Sequence, residues 1–309
     1  MRPTRLALRP ALSDDEVRGL VGERPSDRHF DRLIAEDADA YDVEAGRLIC
    51  RFRRAVLPAA AVDLAREVFG DVDERLRPSW SRAAAAGRLD LDRVRALRPD
   101  VVAVRPSAKS PFEGRLELAS GEILQSKVCN PVRSFMAGSN YHRYSKRAVP
   151  AGFSAEFPDE WARAIPFFEA IGDLLLDHMP NQAGAMHRWC ERHSVKPAFT
   201  IGRTCLSTVA VNVNYESRFH LDRGDMRRGY STLTAISVGG RYAGGLLVMP
   251  RYRVAVDVRE GDVLFNQSHV DLHGNTPIRP EAPGAKRVSF VTYLKEMLRH
   301  AENKAWPRG

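Results

Sequence analysis

The last third of the chain is built from short runs of β-branched and apolar residues, separated by glycine and proline. Residues 204–214 are rich in Thr and Val and end in strict alternation, with Val209, Val211 and Val213 set against Ala210, Asn212 and Asn214. Five further runs follow at short spacing: Ser231–Val238, 245–249, 254–258, 262–266 and 287–294. Gly239-Gly240, Gly244-Gly245, Pro250, Gly261, Pro277, Pro280 and Pro283-Gly284 punctuate them. Short strands with regular turns predict a sandwich or barrel, and a double-stranded β-helix, the cupin-like relative of the jelly roll, fits this spacing.

Helical periodicity dominates earlier. Between residues 158 and 179, Trp161, Ile165, Phe168, Ile171 and Leu175 recur at helical spacing and predict an amphipathic helix, with a second helix over 183–193. Residues 116–124 predict a hairpin turning at Ser120-Gly121. Ser13-Asp14-Asp15-Glu16 is a capping box, Pro58 opens a helix to Phe69, and the Ala- and Arg-rich stretch 78–97 predicts a surface helix. One strand stands out in this part, over 47–57, where Leu48, Cys50 and Phe52 alternate with Arg47, Arg51 and Arg53. The expected fold class is therefore α+β, a double-stranded β-helix core flanked by helices. The expected organisation is a mainly helical region, residues 1–100, packed on a double-stranded β-helix domain, residues 101–309, in one compact unit.

Composition narrows the class. An apolar fraction of 44% and a charged fraction of 28% over 309 residues describe a globular protein. The sequence has no apolar run long enough to span a membrane, and Met1-Arg2-Pro3-Thr4-Arg5 carries no apolar signal core, so a cytoplasmic monomer is expected. Cys50, Cys129, Cys190 and Cys205 are scattered, which predicts buried thiols rather than a zinc site or disulfide framework. The net charge of +8 favours polyanionic partners such as DNA, although arginine-rich composition also follows from a GC-rich genome. Residues 130–150, with Arg133, Asn140, Tyr141, His142, Arg143, Tyr144, Lys146 and Arg147, read either as a solvated loop or as a substrate loop pairing basic and aromatic groups.

The candidate chemistry lies between Phe219 and Tyr293. His220 and Asp222 are two apart, so on an extended strand both side chains point the same way. Two imidazoles and one carboxylate form the facial triad of non-haem Fe(II), and His273 supplies the second imidazole 51 residues beyond Asp222 (273 − 222). His269 competes for that role. His273 is preferred because it sits beside Gly274 and leaves the shorter reach to Arg287; His269 then falls on the substrate side. Arg287 opens the final apolar strand 14 residues on (287 − 273), and Ser289 shares its face. A guanidinium placed there suits bidentate binding of a carboxylate, as needed to anchor the distal end of 2-oxoglutarate. Asn212 and Asn214 share one face just before the His-x-Asp and suit either a base edge or the satisfaction of buried backbone groups, while Asp225 suits either ordering His220 or reading an exocyclic amine.

Taken together, residues 130–294 resemble the oxygenase domain of the TET/JBP family of Fe(II)/2-oxoglutarate dioxygenases, particularly its bacteriophage-type members. The resemblance rests on residues 208–214, His220-Leu221-Asp222-Arg223-Gly224-Asp225, the stretch 244–257, Gly261-Asp262-Val263-Leu264-Phe265, His273-Gly274-Asn275-Thr276-Pro277 and Arg287-Val288-Ser289-Phe290. It implies Fe(II) on His220, Asp222 and His273, 2-oxoglutarate on Arg287 and Ser289, and O2 as the third reactant. It also implies oxidation of the methyl group of a 5-methylpyrimidine in DNA, 5-methylcytosine to 5-hydroxymethylcytosine foremost, with the base flipped out of the duplex. The same iron chemistry would serve a hydroxylase of a free nucleoside, amino acid or secondary metabolite. The first hundred residues carry no part of the resemblance.

Overall fold

The computed structural model describes residues 3–302. Met1 and Arg2, on which part of the N-terminal expectation rests, and residues 303–309 lie outside the described residues. The chain opens with β1 (Thr4–Leu8), α1 (Asp14–Gly19), β2 (Arg32–Ile34), β3 (Ala38–Asp42) and β4 (Arg47–Arg53). Helices α2 (Ala59–Phe69), α3 (Val72–Arg75) and α4 (Leu91–Arg95) lead into the hairpin of β5 (Val101–Ser107) and β6 (Ser110–Leu118). A second hairpin, β7 (Ser134–His142) and β8 (Arg147–Pro150), precedes α5 (Gly152–Glu156), α6 (Pro158–His178) and α7 (Pro180–Arg192). The remainder is β9 (Thr208–Val213), β10 (Ser231–Val238), β11 (Tyr242–Gly244), β12 (Leu247–Met249), β13 (Val254–Val256), β14 (Val263–Asn266), β15 (Gly274–Asn275), β16 (Ile278–Pro280) and β17 (Lys286–Tyr293).

Two sheets face each other, as a double-stranded β-helix requires. The larger has the order β1-β3-β4-β14-β10-β17-β9-β7-β8, and the smaller β15-β12-β13-β2. Between them Phe52, Leu233 and Leu264 of the large sheet meet Leu247, Met249, Val254 and Val256 of the small one. The period of two in β9 and β17 decides what lies on each face. Val209, Val211, Val213, Val288 and Phe290 point to the outer side, where α2, α6 and α7 cover them. Phe290 there meets Phe69 and Phe167 edge-on at 5.1 and 5.0 Å between ring centroids. Each such fully buried phenyl contributes about 1.5–3 kcal/mol. The opposite positions, Ala210, Asn212, Ser289 and Val291, turn inward and line a cavity.

Two expectations need correction. The first hundred residues hold four strands rather than one. β1, β3 and β4 extend the large sheet through β4 against β14, and β2 joins the small sheet beside β13. Ala38-Asp39-Ala40-Tyr41-Asp42 has little strand propensity of its own; its pairing is fixed by neighbours, including Arg51 and Arg53 on Asp39. The stretch 78–97 is not one helix. Gly87 at φ +80° breaks it. The fully buried Asn130 holds the break open, donating to the carbonyls of Ala86 and Arg88 at 3.0 and 2.6 Å and accepting from the Asp90 N–H at 2.8 Å. Residues 130–150 form the β7–β8 hairpin; Ser134 lines the cavity, but the basic and aromatic tip does not.

Candidate active site

His220 and His273 meet as an isolated pair of backbone hydrogen bonds, His220 N–H to the His273 carbonyl at 2.9 Å and the reverse at 3.1 Å. The His-x-Asp therefore sits in a loop leaving this bridge, not within a longer strand; the Asp222 N–H next donates to the Ser268 carbonyl at 3.0 Å. Close approach of backbone is needed here. A Cβ on Gly274 would lie 2.8 Å from Pro25 Cγ and 2.9 Å from the Ser217 carbonyl, so a side chain would push the bridge apart. Phe219, fully buried, anchors the loop edge-on against His29 at 5.0 Å.

The bridge brings three ligand atoms together. His220 Nε2 lies 3.4 Å from Asp222 Oδ1 and His273 Nε2 lies 3.5 Å from Asp222 Oδ2. All three residues offer atoms within 4.8 Å of one another, and no other such group is found among the described residues. Both Nδ1 atoms are already used: His220 Nδ1 is 2.8 Å from the Arg218 carbonyl and His273 Nδ1 is 2.9 Å from the Asp271 carbonyl. Each Nδ1 donates its proton to that carbonyl and so turns Nε2 to the shared point, where it donates to Asp222 in the metal-free protein and offers a lone pair to a metal once that proton is lost. Burial works against charge on Asp222, but hydrogen bonds from the two imidazoles outweigh it and hold the carboxyl well below its ordinary value. For His273 burial favours the neutral ring, and Asp222 overrides it and raises the pKa. A two-imidazole, one-carboxylate donor set of this kind fits Fe(II).

Ser134, Asn212 and Ser289 fall in one row across β7, β9 and β17 and line a cavity of about 580 Å³ beside the triad. Arg287 is not among the residues that line it; it lies two residues before Ser289 on the same strand face. It is 2% exposed, yet its Nε and one terminal nitrogen have no hydrogen-bond partner. The room it occupies depends on Gly245, where a Cβ would sit 3.1 Å from Arg287 Cδ. A buried guanidinium without a counter-ion is the mark of an absent anion, and 2-oxoglutarate carries a carboxylate of the right kind.

The remaining candidates separate. Asn212 lines the cavity, its amide oxygen accepting from Ser134 Oγ at 2.5 Å. Asn214 does not line it; its φ is +45° and its amide oxygen accepts the Arg287 N–H at 2.8 Å, so it pins the start of β17. His269 is half-buried beside Arg227 and away from both triad and cavity, since the turn after β14 carries it outward. Asp225 is buried in the cavity wall, where its Oδ2 accepts from Ser231 Oγ at 2.5 Å and Ser268 Oγ at 2.8 Å rather than ordering His220. Burial, then the charge of Asp222, pushes its pKa up to about 8, so it holds a proton at neutral pH. Sequence patterns gave no sign of Arg82 and Tyr215, which also line the cavity with buried, unpartnered polar atoms.

Comparison with known proteins agrees with this geometry. The Tet_JBP family, described as the oxygenase domain of the 2OGFeDO superfamily, matches residues 136–296. A bifunctional helicase and thymine dioxygenase JBP2 of Trypanosoma brucei brucei is 34% identical over 126 residues, 40% of this chain and 11% of that protein. Thymine dioxygenase JBP1 of Crithidia fasciculata is 26% identical over 196 residues, covering 58% of this chain and 23% of that one. The chain thus spans about a tenth of the length of the JBP2 relative. The structure of NgTET1 in complex with 5mC DNA shares the fold, with a TM-score of 0.57 over 97% of this chain and 84% of that chain at 12% identity. Family match, double-stranded β-helix and ligand set together establish that the chain belongs to the TET/JBP oxygenase-domain family of dioxygenases that use Fe(II), 2-oxoglutarate and O2.

Proposed function

We propose that this chain hydroxylates the methyl group of a 5-methylpyrimidine in DNA, with 5-methylcytosine as the base and 5-hydroxymethylcytosine as the product. The observation that carries the proposal is the family match over 136–296, whose relatives include proteins named thymine dioxygenases. The solved structure that shares the fold is a complex with 5mC DNA, which supports cytosine. Asp225 is protonated with its Oδ2 taken by two serines, so its Oδ1 carries the proton and donates to a ring nitrogen or carbonyl of the base. The names of the relatives support thymine, which is the second reading.

His220, Asp222 and His273 would hold Fe(II) through Nε2, a carboxylate oxygen and Nε2. When bound, the metal with 2-oxoglutarate and O2 supplies an oxidant able to take hydrogen from a methyl C–H. Arg287 anchors the distal carboxylate of the co-substrate and Ser289 adds a hydroxyl. Asn212 presents its amide to the base, and Asp225 keeps its proton and its hydrogen bonds while orienting the ring. A methyl group inside a duplex does not reach such a cavity, so the base is extruded.

The test is succinate release by the Fe(II)-loaded protein with 5-methylcytosine duplex, thymine duplex and free nucleosides. Turnover is expected with the methylcytosine duplex and absent in His220→Ala. Faster turnover with a thymine-containing duplex that lacks 5-methylcytosine would select the second reading, and turnover with nucleosides alone would overturn DNA as substrate.

A further inference from the structure

We propose that the N-terminal half of the chain completes the substrate site. In this inference Arg82, with Lys109 and Arg223, grips the phosphates of the strand carrying the target nucleotide. It rests on DNA being the substrate. Two of these residues lie outside the segment that matches the family, which begins at residue 136.

All three line the cavity that holds the triad. Arg82 comes from the segment after α3, Lys109 from the tip of the β5–β6 hairpin, and Arg223 directly follows Asp222. None has a carboxylate partner among the described residues. This sets them apart from arginines elsewhere, such as Arg47 on Asp271, Arg51 and Arg53 on Asp39, Arg75 on Glu160 and Arg133 on Asp73. Arg82 goes further: its Nε is buried with no hydrogen-bond partner, and one terminal nitrogen rests 2.9 Å from Met136 Sδ, a weak acceptor. The Tyr215 hydroxyl, in the wall of the same cavity, is buried and unpartnered as well. The backbone next to Arg82 is strained, with Ala83 at φ +40° held by its N–H on Cys129 Sγ at 3.1 Å. Such strain persists where the surroundings fix it and is common at binding sites.

Arg82 is set apart from the co-substrate arginine: its terminal nitrogen rests on Met136, whose register partner Ala210 pairs with Val291, four residues beyond Arg287 (291 − 287) and about 13 Å along an extended strand. Charge decides the ligand class. A half-buried guanidinium without a counter-ion is poorly compensated by a neutral carbonyl and well compensated by a phosphate oxygen, which its planar fork fits. Lys109 and Arg223, exposed in the lining of the same cavity, extend the positive edge to neighbouring phosphates.

The experiment measures the affinity of the Fe(II)-loaded protein, under anaerobic conditions, for a duplex carrying one 5-methylcytosine between about 50 and 200 mM salt. Arg82→Gln, Lys109→Ala and Arg223→Ala should each lower the slope of log Kd against log salt by about 0.7–0.9 and weaken binding whatever the flanking sequence. Arg82→Lys should restore the slope but not the full affinity, since the charge returns without the fork. Arg192→Ala on α7, which packs on the opposite face of the large sheet, should change neither quantity. Weaker binding by Arg82→Gln with an unchanged slope would show a structural role and overturn the inference. Wild-type slopes in all three variants would overturn it while DNA binding stood. Absence of salt-dependent DNA binding by the wild type would overturn both this inference and the proposed substrate.

Discussion

At the scale of single residues, the site is marked more by what is left unpaired than by what is paired. Arg287 is enclosed, charged and without partners for two of its nitrogens, a state that costs stability until an anion arrives. Arg287→Met fills the same space with an apolar group. It should raise the unfolding free energy without co-substrate by about 1–3 kcal/mol per orphaned donor relieved. It should also abolish the stabilisation that 2-oxoglutarate gives the Fe(II)-loaded wild type, about 2.7 kcal/mol at a hundredfold excess over Kd. Melting curves with and without 2-oxoglutarate read both effects. A variant no more stable than wild type, or still stabilised by the co-substrate, would contradict the account of Arg287. Asn214 shows the opposite case, a polar side chain spent on the backbone of β17.

Elements were legible in the sequence to the extent that their own pattern dictated them. β10 and β14 came out within a residue of their ends, and α6 was read from its apolar stripe. The triad was legible because two ligands two residues apart and one histidine beside a glycine carry the metal chemistry by themselves. What was hidden depends on partners far away in sequence. β3 is a strand because β1 and β4 flank it. The stretch 78–97 fails to be a helix because of Asn130, some forty residues later. Arg82 and Tyr215 reach the cavity through folds in the chain that no local pattern records. Asn130→Ala tests this: it removes three hydrogen bonds to a buried turn, so urea unfolding should show a loss of about 2–4 kcal/mol at roughly 1 kcal/mol per bond. A change below about 0.5 kcal/mol, the range usual for surface substitutions, would mean that the turn is held by something else.

For the whole molecule, the matched segment 136–296 is completed by strands that precede it, β4 on β14 and β2 on β13. β14 lies between β10 and β4, and Ile34, Ala38, Ala40, Cys50 and Phe52 fill the space between the sheets. A protein starting at residue 57 would leave β14 as an open apolar edge over an unfilled core. It is expected to be insoluble or to lack a cooperative thermal transition, as judged by calorimetry beside the full chain. A sharp transition near the wild-type Tm would show that β1 to β4 are dispensable.

The pairing of β4 with β14 also has a consequence for how the protein is made. Phe52 faces Leu264 across that pair, and Arg53 is 210 residues ahead of its partner Val263 (263 − 53). At a synthesis rate of about 5–20 residues per second, the first three strands of the large sheet wait roughly 10–40 s before the strand that closes them leaves the ribosome. During that interval β1, β3 and β4 can pair with one another but cannot bury Phe52 or Ile49, and they offer a sticky ribbon to any neighbouring nascent chain. Yield in the cell should therefore depend on whatever shields that ribbon while translation finishes.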